Sequence, residues 1–282
     1  MLDKLINSYE TFILDIWGVL HNGKQLLPGA VEFITALENK NKQYYLLSNA
    51  PRPIDSAHRK LVALGLDIPQ NRILTSGTFF LEALKNPTLA PQTNLLGKAA
   101  VIGIEKNEEL LKNTDIEIVS SFTEADYLIM LAFADDEAEV LHYCEPFKLA
   151  INQGLPMVCV NPDKIVFEGP CKRYCQGHFA SIYTEMGGKV HYFGKPYREI
   201  YQYLFNKHSL SKDGAIMFGD SMNTDIKGAS SFSIDSALLL TGIHQDETDV
   251  ANLLKLSTTS PTYILDDLVG PYEQNETRST GT

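Results

Sequence analysis

Along this chain, short runs of apolar residues alternate with longer stretches whose apolar positions recur every three or four residues. The runs have the length and composition of buried strands, and the stretches have the period of amphipathic helices. The pattern predicts strands over 12–16, 43–48 and 215–219, and helices over 30–38, 54–64 and 197–206. Strands this apolar do not expose a face to water, so their alternation with helices implies an α/β fold with a parallel sheet covered on both sides. The middle of the chain repeats the style, with strands over 99–104, 127–132 and 157–160 and one long helix over 137–153. It reads as a second α/β unit. The polar tail from Pro271 onward is expected to fray.

Composition narrows the partners. Of 282 residues, 44% are hydrophobic, enough for a sizeable core. The 24 basic and 35 acidic side chains leave a net charge of -11, which argues against a general nucleic-acid surface. One small basic pocket for a phosphorylated metabolite remains compatible with that balance. Cys171 and Cys175 are spaced as a metal site could use, but no second Cys/His pair at zinc spacing follows. The four cysteines therefore read as reduced thiols. No apolar run approaches the roughly 18 residues of a membrane span, and the first ten residues lack the apolar centre of a signal peptide. The expectation is a cytoplasmic protein with no membrane partner.

Four segments place polar groups directly after apolar strands, where open parallel sheets bind their ligands. The first is Asp15-Ile16-Trp17-Gly18, a strand-end carboxylate before a glycine turn, suited to a nucleophile or a metal ligand and equally to a plain cap. The second is Ser48-Asn49-Ala50-Pro51, a hydroxyl and an amide before a helix start, which suits an anion or an ordinary N-cap. In the third, Gly194-Lys195-Pro196, the chain holds a lysine close to the backbone. The fourth runs from Gly219-Asp220 to Thr224-Asp225, two carboxylates that can share one Mg²⁺ shell.

In this order the four segments resemble the haloacid-dehalogenase superfamily, and most closely its subfamily IIA of sugar-phosphate, nucleotide and p-nitrophenyl phosphatases. LLSNAPRP, GKPYREIY and GDSMNTDIKGA carry the likeness, and Asn161-Pro162-Asp163 with Gly187-Gly188 extends it through the middle of the chain. The resemblance implies a Rossmann-like doubly wound parallel-sheet core over 1–80 and 190–282, with an inserted α/β cap of the C2 type over 81–189. It implies Asp15 as nucleophile and Mg²⁺ ligand, with the backbone carbonyl of Trp17, Asp220 and Asp225 completing the metal set. Ser48 and Asn49 would hold phosphoryl oxygens, and Lys195 would balance charge. Asn161 and Asp163 would reach the substrate from the cap. Caps of this subfamily can pair, so a homodimer is among the expectations.

One position departs from the pattern. The phosphatases carry a second Asp two residues after the nucleophile, which protonates the leaving oxygen and then activates water. Here that position is Trp17, whose only polar group is a non-acidic N–H. General acid–base catalysis contributes typically about 10²–10⁴-fold, so the departure bears on turnover. His21 is the nearest titratable substitute in the sequence, and a cap residue or a substrate group is another. An aromatic at this place is similar to the true haloacid dehalogenases, but they do not need Asp220 and Asp225 for metal. The leading reading is a Mg²⁺-dependent hydrolase of small phosphate monoesters; the alternative is a homologue that binds a phosphorylated ligand or a protein without turnover.

Overall fold

A computed structural model describes residues 1–91, 93, 95–112, 114–244, 254, 257–270 and 272; all of the polar tail except Tyr272 lies outside them. In chain order the described strands are β1 Thr11–Leu14, β2 Gln43–Ser48, β3 Ile73–Thr75, β4 Lys98–Ile102, β5 Glu117–Val119, β6 Tyr127–Met130, β7 Met157–Cys159, β8 Ile165–Glu168, β9 Cys171–Tyr174, β10 Val190–Tyr192, β11 Ala215–Gly219, β12 Asp235–Leu239 and β13 Tyr263–Leu265. Six form a parallel sheet in the order β13-β12-β11-β1-β2-β3. Five form a second parallel sheet in the order β10-β7-β6-β4-β5, and β8 and β9 pair as an antiparallel hairpin.

The central strands show why they read as unbroken apolar runs. Side chains alternate across a sheet. In β1, Phe12 and Leu14 enter one apolar cluster while Ile13 enters another. In β11, Ile216 and Phe218 take the first side and Met217 the second. The first side is closed by helices carrying Leu5, Phe33 and Leu61; the second by helices carrying Phe79, Phe80, Tyr201 and Leu204. With both faces buried, no polar alternation is tolerated. The second cluster also takes in Ala99, Tyr127, Ile129 and Val158. One face of the second sheet thus packs into the core beside the main sheet, while Leu128, Met130 and Met157 bury its other face.

Some expected bounds shift for physical reasons. The strand expected over 12–16 ends at Leu14, because the Ile16 N–H turns back to Asp15 Oδ1 at 2.7 Å. The strand expected over 99–104 stops at Ile102, since Gly103 adopts a left-handed conformation and starts a helix. The single helix expected over 137–153 is two, Glu137–Leu141 and Cys144–Asn152. Pro146 explains the break: its ring would collide with the carbonyl four residues earlier in a continuous helix, but fits the first turn of a new one. The second sheet's last strand, β10, runs past residue 189.

Candidate active site

The main sheet builds outward from β1, first through β2 and β3 on one side, then through β11, β12 and β13 on the other. The strand order therefore reverses between β1 and β11, and the crevice beyond their carboxyl ends is where an open α/β sheet takes its ligand. Asp15 follows β1, Ser48 closes β2 and Asp220 follows β11. Three of the four segments singled out in the sequence thus converge by topology.

The fourth arrives through Lys195, which is fully buried at 1% exposure. Its Nζ lies 2.7 Å from Asp15 Oδ1 and 2.7 Å from Asp225 Oδ1, and donates to the Leu47 carbonyl at 2.8 Å. Burial alone would pull the ammonium down, but the charges of Asp15, Asp225 and Asp163 outweigh it and hold Lys195 protonated. The carboxylates outnumber their cation. Burial drives Asp15 up to about 8 against the pull of Lys195, and burial with the charges of Asp15 and Asp225 drives Asp220 well above its usual range. Oxygens of Asp15, Asp220 and Asp225 all lie within 4.8 Å of one another, and all three residues are buried. Crowded buried carboxylates with one lysine are short of positive charge, and an oxygen-seeking divalent cation suits them.

Two glycines make room for Asp220. Gly18 and Gly242 both adopt positive φ, and a side chain on either would collide with the Asp220 carboxylate. The Ile243 N–H donates to Asp220 Oδ2 at 2.8 Å, and the Ser221 N–H donates to Asp225 Oδ2 at 3.1 Å. The turn after β11 thereby fixes both carboxylates.

Asn49 does something the sequence did not suggest. Its Oδ1 accepts the Lys195 backbone N–H at 2.7 Å, and its Nδ2 donates to the Lys195 carbonyl at 3.0 Å and to Asp163 Oδ1 at 2.8 Å. The side-chain amide is fully engaged, so it positions Lys195 and Asp163 and is not free for a phosphoryl oxygen. Ser48 Oγ accepts the Ala50 N–H at 3.2 Å. Asn161 Oδ1 accepts the Asp163 N–H at 3.0 Å, closing an Asx turn that presents Asp163 to the cleft. The Asp163 carboxyl is raised by burial, against the pull of Lys195 and Asn49.

Trp17 points elsewhere. Its indole N–H donates to the Phe167 carbonyl of β8 at 2.9 Å, and its ring packs so closely on Gly23 that a Cβ there would lie 2.6 Å from it. His21 stands edge-on to the indole, with ring centroids 5.0 Å apart. Its Nδ1 accepts the Gly23 N–H at 3.0 Å, and burial with the nearby charge of Lys60 lowers its pKa to about 4. Near neutral pH His21 is an uncharged imidazole whose one acceptor nitrogen is taken, which does not suit the acid–base role considered for it.

Of these groups Asp15, Trp17, His21, Ser48, Asn161, Asp163 and Asp220 line a cleft of about 960 Å³. Its walls also carry Arg52, Lys60, Lys164, Lys172, Arg173 and Lys227, together with Tyr174, Tyr192 and Tyr197. Arg173 is neutralised by Asp135 and Glu168, whereas Lys60, Lys164 and Lys227 form no ion pair with the described residues. A chain of net charge -11 thus focuses cations at one opening. These lining cations went unnoticed in the sequence because they come from separate segments with no common spacing. Cys171 is exposed on β9 while Cys175 is buried beyond it, and neither belongs to a group of metal-ligating side chains among the described residues. No helix among the described residues is long and apolar enough to cross a membrane.

Comparison with known proteins agrees with this geometry. The family model described as haloacid dehalogenase-like hydrolase matches residues 12–117, and a second, HAD-hydrolase-like model matches 192–270. The chain is 27% identical over 252 residues to the dihydroxyacetone phosphatase of Corynebacterium glutamicum (strain R), covering 84% of this chain and 82% of that enzyme. It is 27% identical over 244 residues to the ribonucleotide monophosphatase NagD of Escherichia coli (strain K12), covering 84% and 89%. A crystal structure of a haloacid dehalogenase-like hydrolase from Brucella suis 1330 superimposes with a TM-score of 0.81 at 27% identity, over 95% of this chain and 98% of that one.

Proposed function

The chain belongs to the haloacid-dehalogenase-like hydrolases of subfamily IIA, and from that premise we propose that it hydrolyses small phosphate monoesters through an aspartyl-phosphate on Asp15. The observation that carries this reading is the contact of Lys195 with both Asp15 and Asp225 at 2.7 Å, inside a buried carboxylate cluster at the strand-order reversal. A plain strand cap has no use for such a cluster, and three buried acids exceed what a dehalogenase requires.

Asp15, Asp220, Asp225 and the Trp17 backbone carbonyl would hold Mg²⁺. When bound, the ion would neutralise the carboxylates and withdraw charge from the phosphoryl oxygens. Asp15 would attack phosphorus in line; the contacts of its Oδ1 with Lys195 and the Ile16 N–H, which hold the carboxylate in one orientation, support that role. Lys195 stabilises negative charge on the phosphoryl group in flight, in a buried site where that charge is weakly screened. Ser48 offers its hydroxyl to a phosphoryl oxygen. Asn49 acts indirectly, by fixing Lys195 and Asp163.

We take 1–80 and 190–282 as the core and 81–189 as the inserted cap; β10, at 190–192, falls on the core's side of that border although it pairs with β7 of the second sheet. The cleft volume and its lysines, which form no ion pair with the described residues, fit an organic phosphate of sugar-phosphate or nucleotide size, the class named for the two relatives. The test is phosphate release from a panel of monophosphate esters, with and without Mg²⁺, by wild type and Asp15→Asn. Mg²⁺-dependent release lost in the mutant is expected. An active Asp15→Asn protein would remove the scheme. The indole at position 17 favours one other reading, a site that binds phosphorylated ligands without turning them over. Mg²⁺-dependent ester binding without release would select it.

A further inference from the structure

Hydrolysis through Asp15 leaves a gap at position 17: no acid meets the leaving oxygen, and no base prepares the water. Five carboxylates line the cleft, those of Asp15, Glu137, Asp163, Glu168 and Asp220. Asp15 and Asp220 belong to the buried cluster suited to a metal. Glu168 is paired with Arg173 at 3.3 Å, and Glu137, an exposed residue, faces His178 at 3.5 Å. His21 has its acceptor nitrogen engaged by Gly23, and the Trp17 N–H is spent on Phe167. Asp163 remains.

Its placement is built. The Asn161–Asp163 turn packs so tightly that a side chain at Gly177 would collide with the Pro162 carbonyl. A Cβ at Gly194, the residue before Lys195, would lie 2.9 Å from the Pro162 ring and 2.5 Å from Asn49 Oδ1. Asn49 then joins Asp163 Oδ1 to the backbone of Lys195, whose Nζ touches Asp15. A cap carboxyl is thus tied through a single amide to the lysine that holds the nucleophile.

We propose that Asp163 is the general acid and base of this enzyme, replacing from the cap the carboxylate absent at position 17. The inference rests on the phosphatase reading above. In the first step Asp15 Oδ bonds to phosphorus, the ester P–O bond breaks, and the departing oxygen takes the proton of the Asp163 carboxyl. In the second, water attacks the phosphorus of the aspartyl-phosphate and gives its proton to the Asp163 carboxylate. The P–O bond to Asp15 then breaks, releasing phosphate. Burial that favours the protonated carboxyl suits the first step.

The experiment compares wild type, Asp163→Asn and Asp163→Glu on p-nitrophenyl phosphate, whose leaving group needs no proton, and on glycerol phosphate, whose alkoxide does. Asparagine still accepts from Asn49, so a purely positional role survives the change. The expected result for Asp163→Asn is a loss of about 10²-fold or more on glycerol phosphate. On p-nitrophenyl phosphate it should give a burst of one nitrophenolate per enzyme, followed by slow turnover with phosphoenzyme trapped on acid quench. Asp163→Glu should recover part of the glycerol phosphate activity. Equal losses on both esters without a burst, or no loss on either, would overturn the assignment while leaving the phosphatase reading intact. A wild type inert on both esters and on the wider panel of monophosphate esters would overturn both.

Discussion

The Lys195 cluster and the Trp17 contact border the same cleft and are held together by opposite means. At Lys195 an ammonium meets two carboxylates and a carbonyl in full burial, and that burial, with the neighbouring carboxylates, pushes Asp15 and Asp220 upward. At Trp17 everything is neutral: an indole N–H on a carbonyl, a ring on a glycine, and an imidazole kept uncharged by burial and by Lys60. The first arrangement stores electrostatic energy that a bound cation would relieve. The second stores none, and joins the hairpin of β8 and β9 to the loop after β1, where the Gly169 N–H also donates to the Asn22 carbonyl at 3.2 Å. Charge is concentrated at the strand ends of the main sheet, and neutral contacts serve where the hairpin meets the loop after β1.

The largest effect should come from removing the shared cation. Lys195→Met leaves the stem but strands Asp15 and Asp225. Turnover is expected to fall by at least about 10²-fold, the scale of losing one preorganised charge stabiliser. Breaking a buried pair typically costs about 3–5 kcal/mol, relieved here if a carboxyl of the cluster takes up a proton. The folded mutant would then bind more protons than the unfolded chain above pH about 4, so its stability should decline as pH rises. Urea melts of mutant and wild type at pH 5 and pH 8 check this. A mutant with wild-type turnover and no added pH dependence would show that the cluster is not organised around Lys195.

Much of that cluster was legible before any coordinates. Asp15, Ser48 and Asp220 stand at the ends of runs that must be buried on both faces, so a polar group there has only the carboxyl edge of the sheet to occupy. Lys195, between glycine and proline, gave only a weak signal by itself and took its role from the likeness of GKPYREIY to the family. What stayed hidden was long-range. Asn49 is 114 residues from Asp163 and 146 from Lys195, so no local spacing could reveal that its amide is spent on them. The hairpin of β8 and β9 escaped notice because its residues are only half-buried or exposed and show no clean alternation. Its Gly169-Pro170 turn was the one available signal. Without the hairpin, Trp17 could be seen only as a missing acid, and not as a group with a partner of its own.

A smaller effect belongs to His21. Its pKa of about 4 in the folded chain lies below the 6.5 of an unfolded histidine. Between those values the unfolded chain binds more protons, so stability rises with pH through this window and is lost as pH falls. The contribution reaches no more than about 3 kcal/mol, from about 1.4 kcal/mol for each pH unit of displacement. Protonation also forfeits the bond that Nδ1 accepts from Gly23. His21→Gln should flatten the loss of stability between pH 6.5 and pH 4. An unchanged slope would mean that the imidazole is not held neutral.

The smallest effect tests the neutral contact itself. Trp17→Phe keeps an aromatic ring against Gly23 but deletes the N–H that reaches Phe167. One neutral hydrogen bond contributes about 0.5–1.5 kcal/mol net, so the global melt should move only slightly. The local consequence should be clearer, because the hairpin retains few other ties to the loop after β1, chiefly the Gly169 to Asn22 bond. Hydrogen exchange over 165–174 should accelerate in Trp17→Phe, while the central strands β1 and β11 remain as protected as in wild type. Lys195→Met should show the reverse, with its disturbance centred on the strand ends. If both mutants loosen the same amides, the two arrangements are one cooperative unit. If each loosens its own, the hairpin can part from the loop after β1 without disturbing the charges beside it.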